Sequence, residues 1–259
     1  MSSDSNFVFS KENIDIYLKA VAKEYRRLVG KGTPAELILI GGASVLINYG
    51  FRNMTNDIDA LICASSAMKD AINNVGNKYN LPVGWLNEDF KKTESYSDKL
   101  IQFSQYYRTY SNVLCIRTVS SEYLIAMKLK SGRQYKRDLS DVVGILIEHN
   151  VSGNPISMEI ISKAVIDLYG CWNELPETSR SFIQNVKQAD NLETLYQRVL
   201  TAEIETKKML KCFENNYPDV KLADNVNEIT LNLQRKSDSA SVLASLLELK
   251  RDTKKPSDG

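Results

Sequence analysis

Histidine is nearly absent from this sequence, since His149 is the only one among 259 residues. A metal site with several histidine ligands is therefore excluded, and a Ser-His-Asp triad would have to use His149, near the end of a predicted helix. The four cysteines lie far apart, with no Cys-x-x-Cys pair. This spacing favours reduced, buried thiols in a cytoplasmic protein over disulfides or a metal site. Any chemistry must then rest on carboxylates, lysines, arginines and hydroxyls.

Long apolar runs and an excess of one charge are missing as well. No run approaches the roughly 20 residues that cross a bilayer, and residues 1–9 are polar and acidic, so we expect neither a membrane span nor a secretion signal. With 33 basic and 32 acidic residues the net charge is +1, so any basic site must be local. The chain is 43% hydrophobic and 25% charged, which is typical of globular proteins.

Hydrophobic periodicity divides the chain into two parts. Over residues 1–150 helical patterns alternate with strand patterns, whereas beyond residue 151 no segment has the period of a strand. The strand patterns lie at 36–40, 56–63, 100–107 and 112–118. We therefore predict an α/β (α+β) fold with a catalytic domain at 1–150, a helical C-terminal domain at 151–250 and a disordered tail at 251–259.

Two carboxylates begin the second predicted strand. Asp57 and Asp59 are two residues apart, so the period of a strand places both side chains on one face. Two adjacent acids repel each other, and a divalent cation with a preference for oxygen ligands relieves that repulsion. An isolated Asp-x-Asp triplet is usually a solvated strand end. If the pair does bind a metal ion, we expect that ion to be Mg²⁺ or Mn²⁺.

A glycine pair precedes these acids, between the first predicted strand and a helix. Gly41 and Gly42 would let a ligand approach the backbone, and the amides of a helix N-terminus attract phosphate. Ser44 adds a hydroxyl donor. A glycine pair alone is more often a tight connection. Combined with the two aspartates, it indicates nucleoside triphosphate chemistry, in which a metal bridges the phosphates.

Residues 41–44, Gly-Gly-Ala-Ser, followed by the Asp-Ile-Asp triplet, resemble the motif of the DNA polymerase beta-like nucleotidyltransferase superfamily. The resemblance implies a mixed sheet with flanking helices, a glycine turn that holds the triphosphate, and two metals held by Asp57 and Asp59. Arg52, the first basic residue after the turn, is assigned to the nucleotide. The strand at 112–118 has no third carboxylate, although many members of the superfamily place a general base there.

Two segments downstream, 123–130 and 137–141, resemble the third and fourth motifs of the AbiEii-type abortive-infection toxin nucleotidyltransferases. The resemblance implies that Lys128 and Asp138 complete the site, with Asp141, one helical turn on, as the alternative acid. It also implies a role in toxin–antitoxin systems and phage defence, with an NTP as substrate, RNA (tRNA) as a possible acceptor and a cognate antitoxin from a neighbouring gene as a possible partner.

Lys128 begins a run with five basic residues in ten positions, which is usually a solvated face. Helical spacing separates Lys128 from Lys130 by about 200°, so we expect only Lys128 to face the phosphates. Two other functions remain open at this point. One is transfer to a small molecule, as in antibiotic-modifying nucleotidyltransferases, and the other is a catalytically silent relative that binds a nucleotide or a protein.

Overall fold

The structure is a computed structural model that describes residues 7–216 and 229–230. Its first half alternates helices and strands: α1 (Lys11–Val29), β1 (Ala35–Leu39), α2 (Gly41–Asn48), β2 (Ile58–Cys63), α3 (Ala67–Tyr79), β3 (Leu86–Asn87), β4 (Ser104–Tyr110) and β5 (Leu114–Val119). Helices follow: α4 (Ser121–Ser131), α5 (Asp138–Val151), α6 (Met158–Tyr169), α7 (Glu177–Gln188) and α8 (Leu192–Asn216). In the described part of the chain beyond residue 151 there is no strand, which confirms the predicted helical C-terminal part.

The five strands form one mixed sheet in the order β3-β2-β1-β5-β4. The central strand β1 is antiparallel to β2 and parallel to β5. The edge strand β4 is antiparallel to β5, and the short β3 is parallel to β2. This arrangement confirms the predicted mixed sheet with flanking helices.

Helices cover both faces of the sheet because β1 is apolar on both sides. Leu37 and Leu39 belong to a buried cluster that includes residues of α1 and α3. Ile38 belongs to a second cluster, with residues of α4, α5, α6 and α7, and Leu61 of β2 lies in the same cluster. Alternation along the strands therefore assigns one face to α1 and α3 and the other to the later helices.

The described residues divide into two compact units, one of residues 7–132 and 138–196 and one of residues 133–137, 197–216 and 229–230. The candidate active site and the groove described below lie in the first unit. The sequence-based boundaries at 150 and 250 stay predictions, and the predicted tail at 251–259 lies outside the described residues. None of the described helices has both the length and the apolar character needed to span a membrane.

Two local expectations need correction. All four cysteines are free, but Cys63, Cys171 and Cys212 are exposed, so the prediction of buried thiols is wrong for them. The predicted strands at 36–40, 56–63, 100–107 and 112–118 leave out β3, which lies in a polar stretch at 80–99 that also contains a short 3-10 helix. A strand of two residues has no periodicity that a sequence pattern could reveal.

Candidate active site

The glycine pair forms the first turn of α2, immediately after β1. Gly41 has a φ of +54°, a conformation that residues with a side chain rarely adopt. A Cβ atom on Gly41 would lie 3.5 Å from the Oδ2 atom of Asp59. The structure therefore brings the N-terminus of α2 beside the second aspartate of the Asp-x-Asp triplet, as a shared phosphate and metal site requires.

Asp57 and Asp59 lie at the start of β2. Asp57 is exposed and immediately precedes the strand, whereas Asp59 is its second residue and is half-buried. Asp59 is two residues before Leu61, which packs with the helices α4 to α7. Asp59 thus shares the sheet face that those helices cover. The strand begins at Ile58 rather than at residue 56 as expected.

Residues 49–52 form a strap that runs back along α5, antiparallel to it. The strap contacts positions 149, 148, 144 and 141 of α5 in turn: Tyr49 Oη lies 3.5 Å from His149 Nε2, the Gly50 N–H donates to Glu148 Oε1 (3.1 Å), the Phe51 ring covers Gly144, and Arg52 pairs with Asp141. Four successive contacts fix its course. The strap therefore places the Arg52 side chain against the first turn of α5.

Arg52 also lies over the glycine turn. A Cβ atom on Gly42 would lie 2.7 Å from Arg52 Nη2 and 2.6 Å from the hydroxyl oxygen of Thr55. Real Cβ atoms do not approach other atoms this closely, so Gly42 is needed for the guanidinium to reach this place. The Arg52 Nε–H donates to the carbonyl of Met54 (3.1 Å), and the side chain is only 10% exposed.

Four charged side chains form a buried charge cluster, which consists of Arg52, Lys128, Asp138 and Asp141. Lys128 Nζ lies 2.9 Å from Asp138 Oδ1 and 2.8 Å from Asp141 Oδ2, and Asp141 also pairs with Arg52. Lys128 is 6% exposed and the two aspartates are buried. Two cations thus balance two anions. Burial lowers the pKa of Lys128, but the two carboxylates together outweigh it and hold that pKa above its ordinary value.

Local helix physics explains this cluster. Asp138 and Asp141 lie in the first turn of α5, where a helix favours negative charge, and three-residue spacing puts them on one side of the helix. Lys128 lies in the last turn of α4, where a helix favours positive charge. Since the end of α4 meets the start of α5, both ends are stabilised by one set of ion pairs.

Lys130 has different surroundings. Its ammonium donates to the carbonyl of Glu174 (2.6 Å), pairs with the carboxylate of the same residue (3.2 Å) and lies 5.6 Å from the centre of the Tyr169 ring. The two lysines of α4 therefore project in different directions, as helical spacing predicts. Lys128 is the one that lies with the other candidate site residues.

Ser44 is fully buried in α2, and its Oγ atom has no hydrogen-bond partner among the described residues. A buried hydroxyl without a partner is uncommon in folded proteins and calls for an explanation such as a missing ion or ligand. Ser44 lies three residues after Gly41, at the end of the helix where the sequence predicts that phosphate binds. The observation fits a group bound at this helix N-terminus.

A protein-family profile matches residues 17–181, from α1 to α7. The family is DUF6036, described as a nucleotidyltransferase of unknown function. The chain belongs to this family. DUF6036 confirms the nucleotidyltransferase superfamily and extends the similarity beyond the segments that carried it in the sequence. Among curated proteins and among solved structures, the chain has no match.

The DUF6036 chain has features at this site that the sequence did not predict. The strap is one of them, because its contacts to α5 join residues about 90 to 100 positions apart in the chain. Gly144 is a residue in the sequence that could have indicated the strap, since an isolated glycine within a helical pattern can mark a place where another group packs closely against the helix. Here the approaching group is the Phe51 ring, 2.6 Å from where a Cβ atom would be.

His149 does not form a catalytic triad in this nucleotidyltransferase. Its Nε2 atom lies 2.9 Å from the hydroxyl of Ser121, but its Nδ1 atom faces the backbone carbonyl of Asn154 (3.1 Å) instead of a carboxylate. Tyr49 donates a hydrogen bond to the same serine (2.7 Å). The arrangement anchors the start of the strap, at the end of α5 opposite to Asp141.

Proposed function

We propose that this nucleotidyltransferase moves a nucleoside monophosphate from an NTP to a hydroxyl group of RNA. The observation that carries the proposal is that three groups meet at the N-terminus of α2. The backbone of Gly41 and Gly42 lies beside the Asp59 carboxylate and beneath the Arg52 guanidinium. Backbone amides, a guanidinium and a carboxylate are the three kinds of group that a metal-bound triphosphate needs.

The N-terminus of α2 supplies the phosphate site. The first backbone N–H groups of a helix have no partner within the helix, and the helix dipole adds partial positive charge. Gly41 and Gly42, the first two residues of α2, have no side chains of their own that would stand between those amides and phosphate oxygens. Arg52 adds a full charge beside them, and its planar guanidinium suits two phosphate oxygens at once.

Asp57 and Asp59 fit Mg²⁺ or Mn²⁺ as a partial ligand set. Among residues 7–216 and 229–230, no group of three or more His, Cys, Asp or Glu side chains could hold a metal. Two carboxylates suffice for Mg²⁺ when phosphate oxygens and water complete the octahedron. When bound, the metal would neutralise triphosphate charge and polarise the phosphorus under attack. We propose that water takes the proton from the attacking hydroxyl group, because β5 has no carboxylate that could act as a general base.

Asp138, Asp141 and Lys128 act in this proposal through Arg52. Asp141 orients the guanidinium over Gly42, and Lys128 balances the charge of Asp141 and Asp138. For Lys128 to meet the departing pyrophosphate itself, both of its ion pairs would have to separate. We therefore give Lys128 the task of positioning.

The cellular role that we propose is that of a toxin of the abortive-infection type, acting in the cytoplasm and controlled by a cognate antitoxin. Its support is the resemblance of residues 123–130 and 137–141 to the AbiEii-type motifs. The charge cluster gives these motifs a physical meaning, since it joins Lys128 of the first segment to both acids of the second.

Label transfer tests the proposed reaction. The protein is incubated with tRNA, Mg²⁺ and each NTP, labelled with ³²P at either the α- or the γ-phosphate. We expect label in the RNA only from α-labelled NTP, release of pyrophosphate, and no transfer with EDTA present. Label from the γ-position would indicate a kinase. Transfer to a small molecule but not to RNA, or nucleotide binding without transfer, would contradict the proposal.

Replacing Gly42 by alanine should weaken NTP binding more than it weakens the fold. The new methyl group would meet the hydroxyl of Thr55 at 2.6 Å and Arg52 Nη2 at 2.7 Å, so the guanidinium must leave its place. We expect an overpacking cost of about 1–3 kcal/mol, partly offset by about 1 kcal/mol from the helix propensity of alanine. The dissociation constant for Mg²⁺–NTP, measured by calorimetry, should rise about tenfold or more.

Gly32→Ala is the matched control, because a Cβ atom on Gly32 has no neighbour within 4 Å. It should leave both stability and NTP affinity unchanged. Normal affinity in Gly42→Ala would mean that the glycine turn only connects β1 to α2.

A further inference from the structure

Helices α1 and α3 form an open groove on the side of the sheet away from the candidate active site. Its volume is about 580 Å³, and it lies in the first unit of the chain. Ala20 and Val75 contribute its apolar part. Nothing in the proposed reaction uses this groove.

The groove is basic, although the whole chain carries a net charge of only +1. Lys19, Lys23 and Arg27 line it at intervals of four residues, which places them in one row on α1, and Lys78 of α3 also lines it. Lys19 and Lys23 have no ion-pair partner within the described residues. Four cationic side chains therefore converge on one groove, against a single carboxylate.

That carboxylate, Glu24, is already satisfied. It accepts hydrogen bonds from Arg27 (2.7 Å and 2.9 Å) and from the side-chain amide of Asn74 (2.7 Å). The bonds from Arg27 and Asn74 lower its pKa to about 2. Glu24 thus neutralises Arg27 and leaves the lysines available for an anionic ligand.

Partly exposed apolar side chains lie beside these charges. Tyr79, at the end of α3, is 37% exposed, and Ile16 of α1 is 55% exposed. The Tyr79 ring is held by an edge contact with Tyr17, at 5.5 Å between ring centres, and Lys78 lies 5.5 Å from its centre. A row of cations that follows a phosphate backbone, with an aromatic ring on which a base can stack, is the usual design of a single-strand binding surface.

We propose that the α1–α3 groove binds the sugar-phosphate backbone of a single-stranded segment of RNA. As a statement about the acceptor, the proposal rests on the proposed function. Asp59 lies on the sheet face of α4 to α7, whereas the groove lies beyond the opposite face. A ligand that reaches both must extend around a sheet and a layer of helices, so the groove selects a polymer over a small-molecule acceptor.

The test measures RNA binding in the absence of NTP, so that it does not depend on transfer. A fluorescein-labelled single-stranded uridine 20-mer is titrated with the full chain, and anisotropy is followed at several salt concentrations. In Lys19→Gln/Lys23→Gln we expect affinity to fall about tenfold and the slope of log K against log salt to decrease by about 1.4, since each lost phosphate contact in a single strand accounts for about 0.7.

Lys31→Gln/Lys69→Gln is the matched control. Both lysines are exposed and neither lines the groove, but the loss of charge is the same. We expect it to bind within about twofold of the unmodified protein. An equal loss in both double variants would show general attraction by charge and overturn the groove as a site. Binding of poly-glutamate but not of the 20-mer would overturn RNA as the ligand.

The outcome is separable from that of the proposed function. If Lys19→Gln/Lys23→Gln binds the 20-mer normally while label transfer to tRNA works, the groove proposal fails and the reaction stands. If the double variant loses RNA affinity while no transfer is found in any preparation, the groove binds RNA and the proposed reaction fails.

Discussion

Asp59→Asn is expected to abolish nucleotidyl transfer and to leave the fold intact. Asparagine keeps the shape of the side chain but removes the negative charge beside Gly41 on which a divalent cation would depend. Metal ions supply several kcal/mol of charge stabilisation in such reactions, so transfer of α-³²P label should fall about a thousandfold or more. Asp57→Asn should behave in the same way. Urea unfolding should show changes within about 1 kcal/mol for both.

Asp89→Asn is the control for this prediction. Asp89 is an exposed carboxylate that pairs with Lys92 on the surface, and such pairs contribute little to stability. It should keep full transfer activity. A second measurement is independent of turnover: Mn²⁺ together with an NTP should raise the melting temperature of the unmodified protein but not that of Asp59→Asn. Undiminished label transfer by Asp59→Asn would remove the metal assignment.

The parts of the site that the sequence could predict are those held by short-range rules. A continuous apolar run predicts β1 and an alternating pattern predicts β2, and the period of two then places Asp57 and Asp59 on one face of the sheet. The glycine pair correctly predicts the start of α2, directly after the end of β1. The structure adds the distance between Gly41 and Asp59, which no local pattern contains.

The strap could not be predicted, because its contacts depend on how a loop lies along a distant helix. Arg52 follows the glycine turn by ten residues, but its ion pair is with Asp141, 89 residues further on. The position of Arg52 after the glycine turn predicts a contact with the nucleotide but not what holds the side chain in place. The structure supplies what holds it there, namely the Phe51 ring on Gly144 and the charge of Asp141.

The burial of Lys128 was equally hidden from the sequence. The run of basic residues from Lys128 on is typical of a solvated face. In the structure every residue of α4 from Tyr123 to Leu129 is buried, since this helix packs against α5, α6 and α7 as well as the sheet. Burial of a lysine on all sides is tolerated only with paired charges. Lys128 therefore holds a structural position in addition to the positioning role that we propose for it.

Lys128→Ala is accordingly expected to destabilise the fold strongly. It removes the ammonium group that contacts both Asp138 (2.9 Å) and Asp141 (2.8 Å) and leaves both carboxylates buried. Removing one partner from a buried ion pair costs about 3–5 kcal/mol, mainly because the remaining charge is uncompensated. Urea unfolding should show this loss. Lys130→Ala is the control, and since Lys130 pairs with the half-exposed Glu174 we expect about 1 kcal/mol or less.

A double variant separates charge balance from simple loss of packing. Lys128→Met/Asp138→Leu leaves Arg52 and Asp141 as one balanced pair, so it should recover a large part of the stability lost in Lys128→Ala. The pH dependence gives a second readout. Because the folded pKa of Lys128 is raised, its contribution is fully present below the unfolded pKa of about 10.4 and disappears as pH rises through the folded value.

The difference in unfolding free energy between the unmodified protein and Lys128→Ala should therefore stay constant from neutral pH to about pH 10 and shrink above it. If Lys128→Ala were as stable as Lys130→Ala, the charge cluster would not support the fold, and Lys128 would be available to meet a phosphate directly. If the double variant were no more stable than Lys128→Ala, lost packing rather than unbalanced charge would explain the effect. The positioning of Arg52 would then have to come from the strap alone.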